Sequence, residues 1–159
     1  MGQRGRRGGG VQSQFSGVER KPHYEREAQS DNESAIAAVF ERRWHCQSYK
    51  LSEWAYRLDR AFVRDGRVGA LAEIKNRNLI FGNGDGVEIA LHKVVFAKMY
   101  REYGTKTFFI VRCSSGEVAF ADFVNHAPVL RWSGRTDRGV LGDMEPMLLF
   151  PWSSFKVVT

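Results

Sequence analysis

The chain has 159 residues, 43% of them hydrophobic and 26% charged, and a formal net charge of +6. That length suits one domain with one core, and the longest apolar runs fall far short of the roughly 20 residues a bilayer span requires, so no membrane partner is expected. The basic opening residues are not followed by an apolar segment, which argues against a secretory signal, and Arg6 stands where N-myristoylation wants Ser or Thr.

Residues 1–29 are Gly-rich, polar and aperiodic, and read as a disordered basic tail. The first ten, MGQRGRRGGG, hold three arginines and no acid, half of the formal charge. The rest of the chain is only mildly basic, which permits a polyanion partner without demanding one. From residue 30 to 159 a single folded domain is expected. Ile36, Val39, Phe40 and Trp44 recur at helical spacing and predict an amphipathic helix over 31–44, with Ser30 as N-cap and Glu33 at the third position of a capping box. Late in that helix Glu41, beside Arg42 and Arg43, reads as a surface ion-pair partner. The two cysteines, Cys46 and Cys113, match no ligand spacing and read as thiols of a reducing compartment, hence a cytoplasmic location.

Strands are predicted over 45–51 and 54–63, where apolar residues alternate, and over 68–75, whose apolar run suggests a central position in a sheet. The 81–86 segment, FGNGDG, reads as a loop without the Lys-Ser/Thr ending of a phosphate-binding loop, so no nucleotide cofactor is expected. Asp85 and Glu88 form a second capping-box pattern for a helix that runs to about Glu102 and stops at Gly104. Beyond it lie strands at 107–113 and 118–123, joined by Ser114-Ser115-Gly116, and short strands near 129–132, 147–150 and 155–158. Residues 133–145 read as a loop, and Pro146 and Pro151 should limit regular structure around 147–150. Helix, three strands, helix, then strands makes an α/β (α+β) fold.

Asp59, Glu73 and Lys75 are the candidate site. Mg²⁺ prefers oxygen ligands and keeps several waters, and phosphodiester cleavage needs a metal to activate water and neutralise developing charge. Asp59 and Glu73 would hold such an ion, the backbone carbonyl of Ile74 would add a ligand, and the Lys75 ammonium would orient water or stabilise the transition state. The idea carries a geometric condition, because paired residues of a hairpin share a face. A two-residue Asp65-Gly66 turn sets Asp59 opposite Ala72 and away from Glu73. A three-residue Arg64-Asp65-Gly66 loop, or a bulge elsewhere, brings the two acids to one face.

With Glu33, Asp59, Glu73 and Lys75 in this order, the chain over about 30–123 resembles the PD-(D/E)xK, or restriction-endonuclease-like, nucleases, and is most similar to their compact phage and mobile-element members. The resemblance implies an αβββαβ core with additional C-terminal strands. It also implies divalent-metal-dependent hydrolysis of nucleic-acid phosphodiester bonds, with Mg²⁺ as cofactor and Mn²⁺ as substitute. Leu58 stands where the family motif has proline, a residue that many members lack. The resemblance gives Glu33 a catalytic, metal-reaching role. It also points to Lys93, beside His92 on the second helix, as a contact to the scissile phosphate. Asn76 and Arg77, directly after Lys75, are placed for phosphate contacts. Arg131, Arg135 and Arg138 beside Trp132 would extend a basic track. DNA is the expected partner, and an endonuclease is favoured because no motor or processivity module stands in the sequence. Economy of size makes a homodimer reasonable. The competing readings are a catalytically inactive nuclease-fold module that binds DNA or protein, and a structural protein of a mobile element.

Overall fold

Apolar side chains at helical spacing need a surface to cover them, and the first helix finds one on a sheet. The computed structural model describes residues 27–52, 55–124, 129–134 and 144–158. The expected tail therefore lies outside the described residues up to position 26. Helix α1 runs from Glu27 to Trp44, four residues earlier than its periodicity predicts. Ser30 is consequently inside the helix, where its carbonyl accepts the Ser34 hydroxyl at 3.0 Å, and it is not the cap of a capping box.

Strands β1 (Gln47–Lys50), β2 (Arg60–Arg64) and β3 (Arg67–Arg77) follow. The second strand begins six residues later than the alternation of 54–63 predicts. The chain first turns, with Ala55 and Tyr56 N–H donating to the Ser52 carbonyl; Trp54 lies outside the described residues. Next come β4 (Gly86–Ala90), α2 (Leu91–Glu102), β5 (Lys106–Cys113), β6 (Val118–Asp122), β7 (Val129–Gly134), β8 (Met144–Pro151), a 3-10 turn Trp152–Ser154, and β9 (Lys156–Val157). Six strands form one sheet in the order β1-β2-β3-β5-β6-β9, and β4-β8-β7 form another. The central pair β3 and β5 is parallel, joined through β4 and α2.

The 86–90 segment corrects the sequence reading, which made it the first turn of a helix. Val87 and Ile89 are both 1% exposed and alternate with half-buried neighbours. That two-residue period is satisfied by pairing with β8, whose register runs from Gly86 opposite Pro151 to Ala90 opposite Met147. Asp85 and Glu88 accordingly do not cap α2, whose N-cap is Ala90 with no side-chain cap bond; both acids instead lie near the Arg131 guanidinium, at 3.0 and 4.0 Å. Gly86 has φ +146, and a Cβ there would stand 2.0 Å from the Phe150 carbonyl oxygen, so this crossing of β4 and β8 requires glycine.

Of the loop expected over 133–145, residues 133–134 belong to β7 and 144–145 to β8, and residues 135–143, Arg135 and Arg138 among them, lie outside the described residues. Pro146 is tolerated inside β8 because β4 pairs only with 147–151, so at Pro146 the strand has β7 alone beside it.

The six-stranded sheet is covered on both faces. Ile36, Ala37 and Phe40 of α1 pack with Phe62, Ala70, Ala72, Ile74, Ile110 and Val118. On the opposite face Leu71, Phe109, Val111 and Ala121 pack with Val94 and Ala97 of α2 and with Val87, Ile89, Leu148 and Phe150 of the small sheet. Strand alternation sorts β3 between these cores: Ala70, Ala72 and Ile74 look toward α1, while Leu71, Glu73 and Lys75 look toward α2.

Candidate active site

The hairpin β2–β3 meets the geometric condition by the bulge. Its turn has two residues, not three: Arg64 pairs with Arg67, and Asp65 (φ 51) and Gly66 (φ 70) both take the left-handed conformation of a tight hairpin turn. The register then shifts between Phe62 and Val63, so that Ala70 faces Phe62 and Val68 faces Val63, leaving Gly69 as the extra residue of β3. Arg60 becomes the partner of Ala72, and Asp59 N–H also donates to the Ala72 carbonyl at 2.9 Å. Two consecutive residues thus address one partner, and the chain bends at Asp59.

That bend delivers the carboxylate. Asp59 Oδ2 accepts the Ile74 N–H at 2.8 Å. The N–H and C=O of a strand residue point to the same side, so the Ile74 carbonyl also faces the β2 side, beyond the first residue of that strand. Glu73 is 0% exposed, and both its oxygens meet ammonium groups: Oε1 is 2.6 Å from Lys75 Nζ and Oε2 2.8 Å from Lys93 Nζ. Asp59 stands 3.9 Å from each lysine, through Oδ2 to Lys75 and Oδ1 to Lys93.

Burial, and then the Glu73 charge, push the Asp59 carboxyl above the ordinary aspartate range, against the pull of Lys75, Lys93 and the Ile74 N–H. For Lys75, burial works against the charge. Glu73 and Asp59 outweigh it and hold the ammonium protonated well past the ordinary lysine value.

Sequence reasoning placed Asp59, Glu73 and Lys75 together, and the fold brings them together. Lys93, expected as a contact to the scissile phosphate, joins them directly, because α2 starts at Leu91 and lies on the Glu73 face of the sheet. Glu33 is 7% exposed and shares the α1 stripe with Ile36, Ala37 and Phe40, a stripe that covers the other face. Asn76 is exposed and alternates toward the α1 side. Arg77 alternates toward Lys75 and lines the site pocket. Arg60, on the α1 face, is buried and donates to the hydroxyls of Ser34 at 2.6 Å and Ser48 at 3.1 Å.

The cavity over the site is about 290 Å³, lined by Glu73, Lys75, Arg77, Lys93, His92 and Glu145 among others. Glu145 was hidden from the sequence inside an apparent loop. It is the second residue of β8, and its carboxylate stands 3.6 Å from His92 Nδ1. Burial and the neighbouring Lys93 lower the His92 value, with Glu145 opposing. Arg77, Gly134 and Met147 also line a second cavity of about 740 Å³ with Asn78, Asp85, Glu88 and Arg131, so the two adjoin.

Among the described residues no group of three or more His, Cys, Asp or Glu side chains is arranged as metal ligands. Asp59 and Glu73 nonetheless supply two hard oxygen donors beside the Ile74 carbonyl, and the buried Glu73 Oε1 has no well-aligned hydrogen bond despite the nearby Lys75. Mg²⁺ commonly takes one or two carboxylates and completes its shell with waters, so this donor set fits a hard divalent ion.

No curated protein matches the chain. A family profile described as "Phage putative PDDEXK endonuclease" matches residues 19–158, and the element order is that of a restriction-endonuclease-like core with extra C-terminal strands. The chain belongs to this PD-(D/E)xK-like phage endonuclease family.

Proposed function

We propose that the protein is a Mg²⁺-dependent nuclease that hydrolyses phosphodiester bonds of DNA internally, with Mn²⁺ able to substitute. The observation that carries this reading is the meeting of Asp59, Glu73, Lys75 and Lys93 at one end of β3, beneath an open cavity. Asp59, Glu73 and the Ile74 carbonyl are the ligands in this proposal; Glu33, buried where α1 covers the other face of the sheet, is not among them. A bound Mg²⁺ would supply water activation and neutralise charge building on the phosphate. Lys75 positions the attacking water and the phosphate oxygens. The water oxygen bonds to phosphorus and gives up a proton to solvent as the bond to the leaving oxygen breaks, and the leaving oxygen takes up a proton from solvent. Arg77 sits between the two adjoining cavities and is suited to grip the next phosphate. Lys93 completes the proposed nucleic-acid contacts, while Asn76, exposed on the α1 side of the sheet, is not among them.

No described helix is long and apolar enough to cross a membrane, and the free cysteines Cys46 and Cys113 agree with action in a reducing cytoplasm. A homodimer would let two such sites address both strands.

One observation favours a second reading, a nuclease-fold protein that binds DNA or protein without cutting: both carboxylates already have lysine partners, Glu73 at 2.6 and 2.8 Å and Asp59 at 3.9 Å. A panel of supercoiled, linear, single-stranded and branched DNA, beside RNA, in Mg²⁺ and in Mn²⁺, separates the two. Cleavage of any DNA form that stops on chelation supports the nuclease. Inactivity on every form in both metals, with binding retained, supports the binding module.

A further inference from the structure

The two lysines are arranged alike about the acids. Lys75 meets Glu73 Oε1 at 2.6 Å and Asp59 Oδ2 at 3.9 Å, while Lys93 meets Glu73 Oε2 at 2.8 Å and Asp59 Oδ1 at 3.9 Å. They come from different elements, β3 and α2, so the match is a property of the fold and not of local sequence. Two carboxylates and two ammonium groups sum to zero charge. One divalent ion would bring the cluster to +2, and a second to +4, and among the described residues no third acid is grouped with these two to offset it.

We infer that Lys93 is a built-in second cation: it holds the Glu73 Oε2 side of the site, where it limits the protein to one divalent ion per chain. The inference rests on the nuclease reading above and adds a stoichiometry to it. Sites that clamp a phosphate between two metals place positive charge on both the attacking and the leaving side; here Lys75 and Lys93 flank the acids, and one ion suffices beside them. The Lys93 side chain is 21% exposed and lines the same cavity as Lys75, which puts its ammonium within reach of a phosphate oxygen while it stays on Glu73.

The test is Mn²⁺ titration of the full chain without DNA, by calorimetry and by electron paramagnetic resonance, for wild type and Lys93→Met. Methionine keeps the bulk of the stem and removes the charge. Wild type should bind one Mn²⁺ per chain. Lys93→Met should bind its first Mn²⁺ on the order of tenfold more tightly, because a like charge has left the site, or take up a second ion. Two ions bound by wild type, or an unchanged affinity and count in Lys93→Met, would overturn the inference and leave the nuclease reading standing. A merely structural Lys93 would shift the melting temperature and leave both Mn²⁺ readouts unmoved, which also overturns it. No Mn²⁺ bound by either protein, both folded by circular dichroism, would remove the metal-dependent reading as well. Lys93→Arg, which restores the charge, should return the count and affinity toward wild type.

Discussion

Glu73→Gln tests whether the buried carboxylate is held by its two lysines. The substitution keeps the shape of the side chain, removes its charge and sets an amide N–H against an ammonium. At an effective dielectric near 20, charges at 2.6 and 2.8 Å attract by about 6 kcal/mol each. Much of that is offset, because a neutral glutamine no longer bears the several kcal/mol of desolvation that a buried ion does. The mutual repulsion with Asp59 also disappears. Breaking buried pairs typically costs roughly 3–5 kcal/mol. The lysine side chains are 28% and 21% exposed and can turn toward water, so a net loss of about 2–3 kcal/mol is expected. For a chain of this length that corresponds to a melting temperature lower by roughly 4–12 °C, measured by differential scanning calorimetry in EDTA. In a Lys93→Met background the loss should shrink by about 1 kcal/mol or more, since the two residues are in contact. A Glu73→Gln protein that melts at or above wild type in EDTA would refute the picture of a lysine-balanced core acid.

Asp59→Asn should act in the opposite direction. A carboxyl whose folded pKa is raised favours folding while protonated, below its ordinary value of 3.8, and that contribution is lost as pH rises through the raised value. Metal-free Asp59→Asn, which keeps an acceptor for the Ile74 N–H, should therefore melt above wild type at pH 7, with the gap closing as pH falls toward that ordinary value; a constant gap across the titration would contradict it. Gly86→Ala should cost about 3 kcal/mol or more, since the new Cβ meets the Phe150 carbonyl at 2.0 Å on a backbone with positive φ. Urea denaturation reads this directly, and a loss below about 1 kcal/mol would mean that β4 and β8 can part without consequence.

Much of the site was legible because its chemistry sits on a strand. The alternation of Ala70, Ala72 and Ile74 with Leu71, Glu73 and Lys75 defines two faces in the sequence itself. The hairpin condition was also readable, as the need for one extra residue between Asp59 and Glu73. Which residue supplies it was decided by pairing energies along β2 and β3: the Asp65-Gly66 pair makes so good a two-residue turn that the shift moves to Gly69. A glycine inside a strand was the available signal. The 86–90 segment failed for the converse reason. Asp85 and Glu88 mimic a capping box locally, but the alternation of Val87 and Ile89 is completed only by β8, some sixty residues onward. Once that start is misplaced, the direction in which Lys93 leaves α2 is lost, and with it the contact to Glu73. Glu145 escaped for the same cause, since β8 is recognisable as a strand there only beside β7.

In the proposed function, Asp59, Glu73 and Lys75 form a metal-dependent phosphodiester-cleaving site. Single-turnover cleavage of DNA in Mg²⁺, wild type against Lys75→Ala with both proteins shown folded and both bound to DNA, tests it most directly. Loss of Lys75 should slow cleavage by roughly 10²–10⁴-fold, and EDTA should abolish the wild-type reaction. Equal rates for the two proteins, or a wild-type rate indifferent to EDTA, would contradict it.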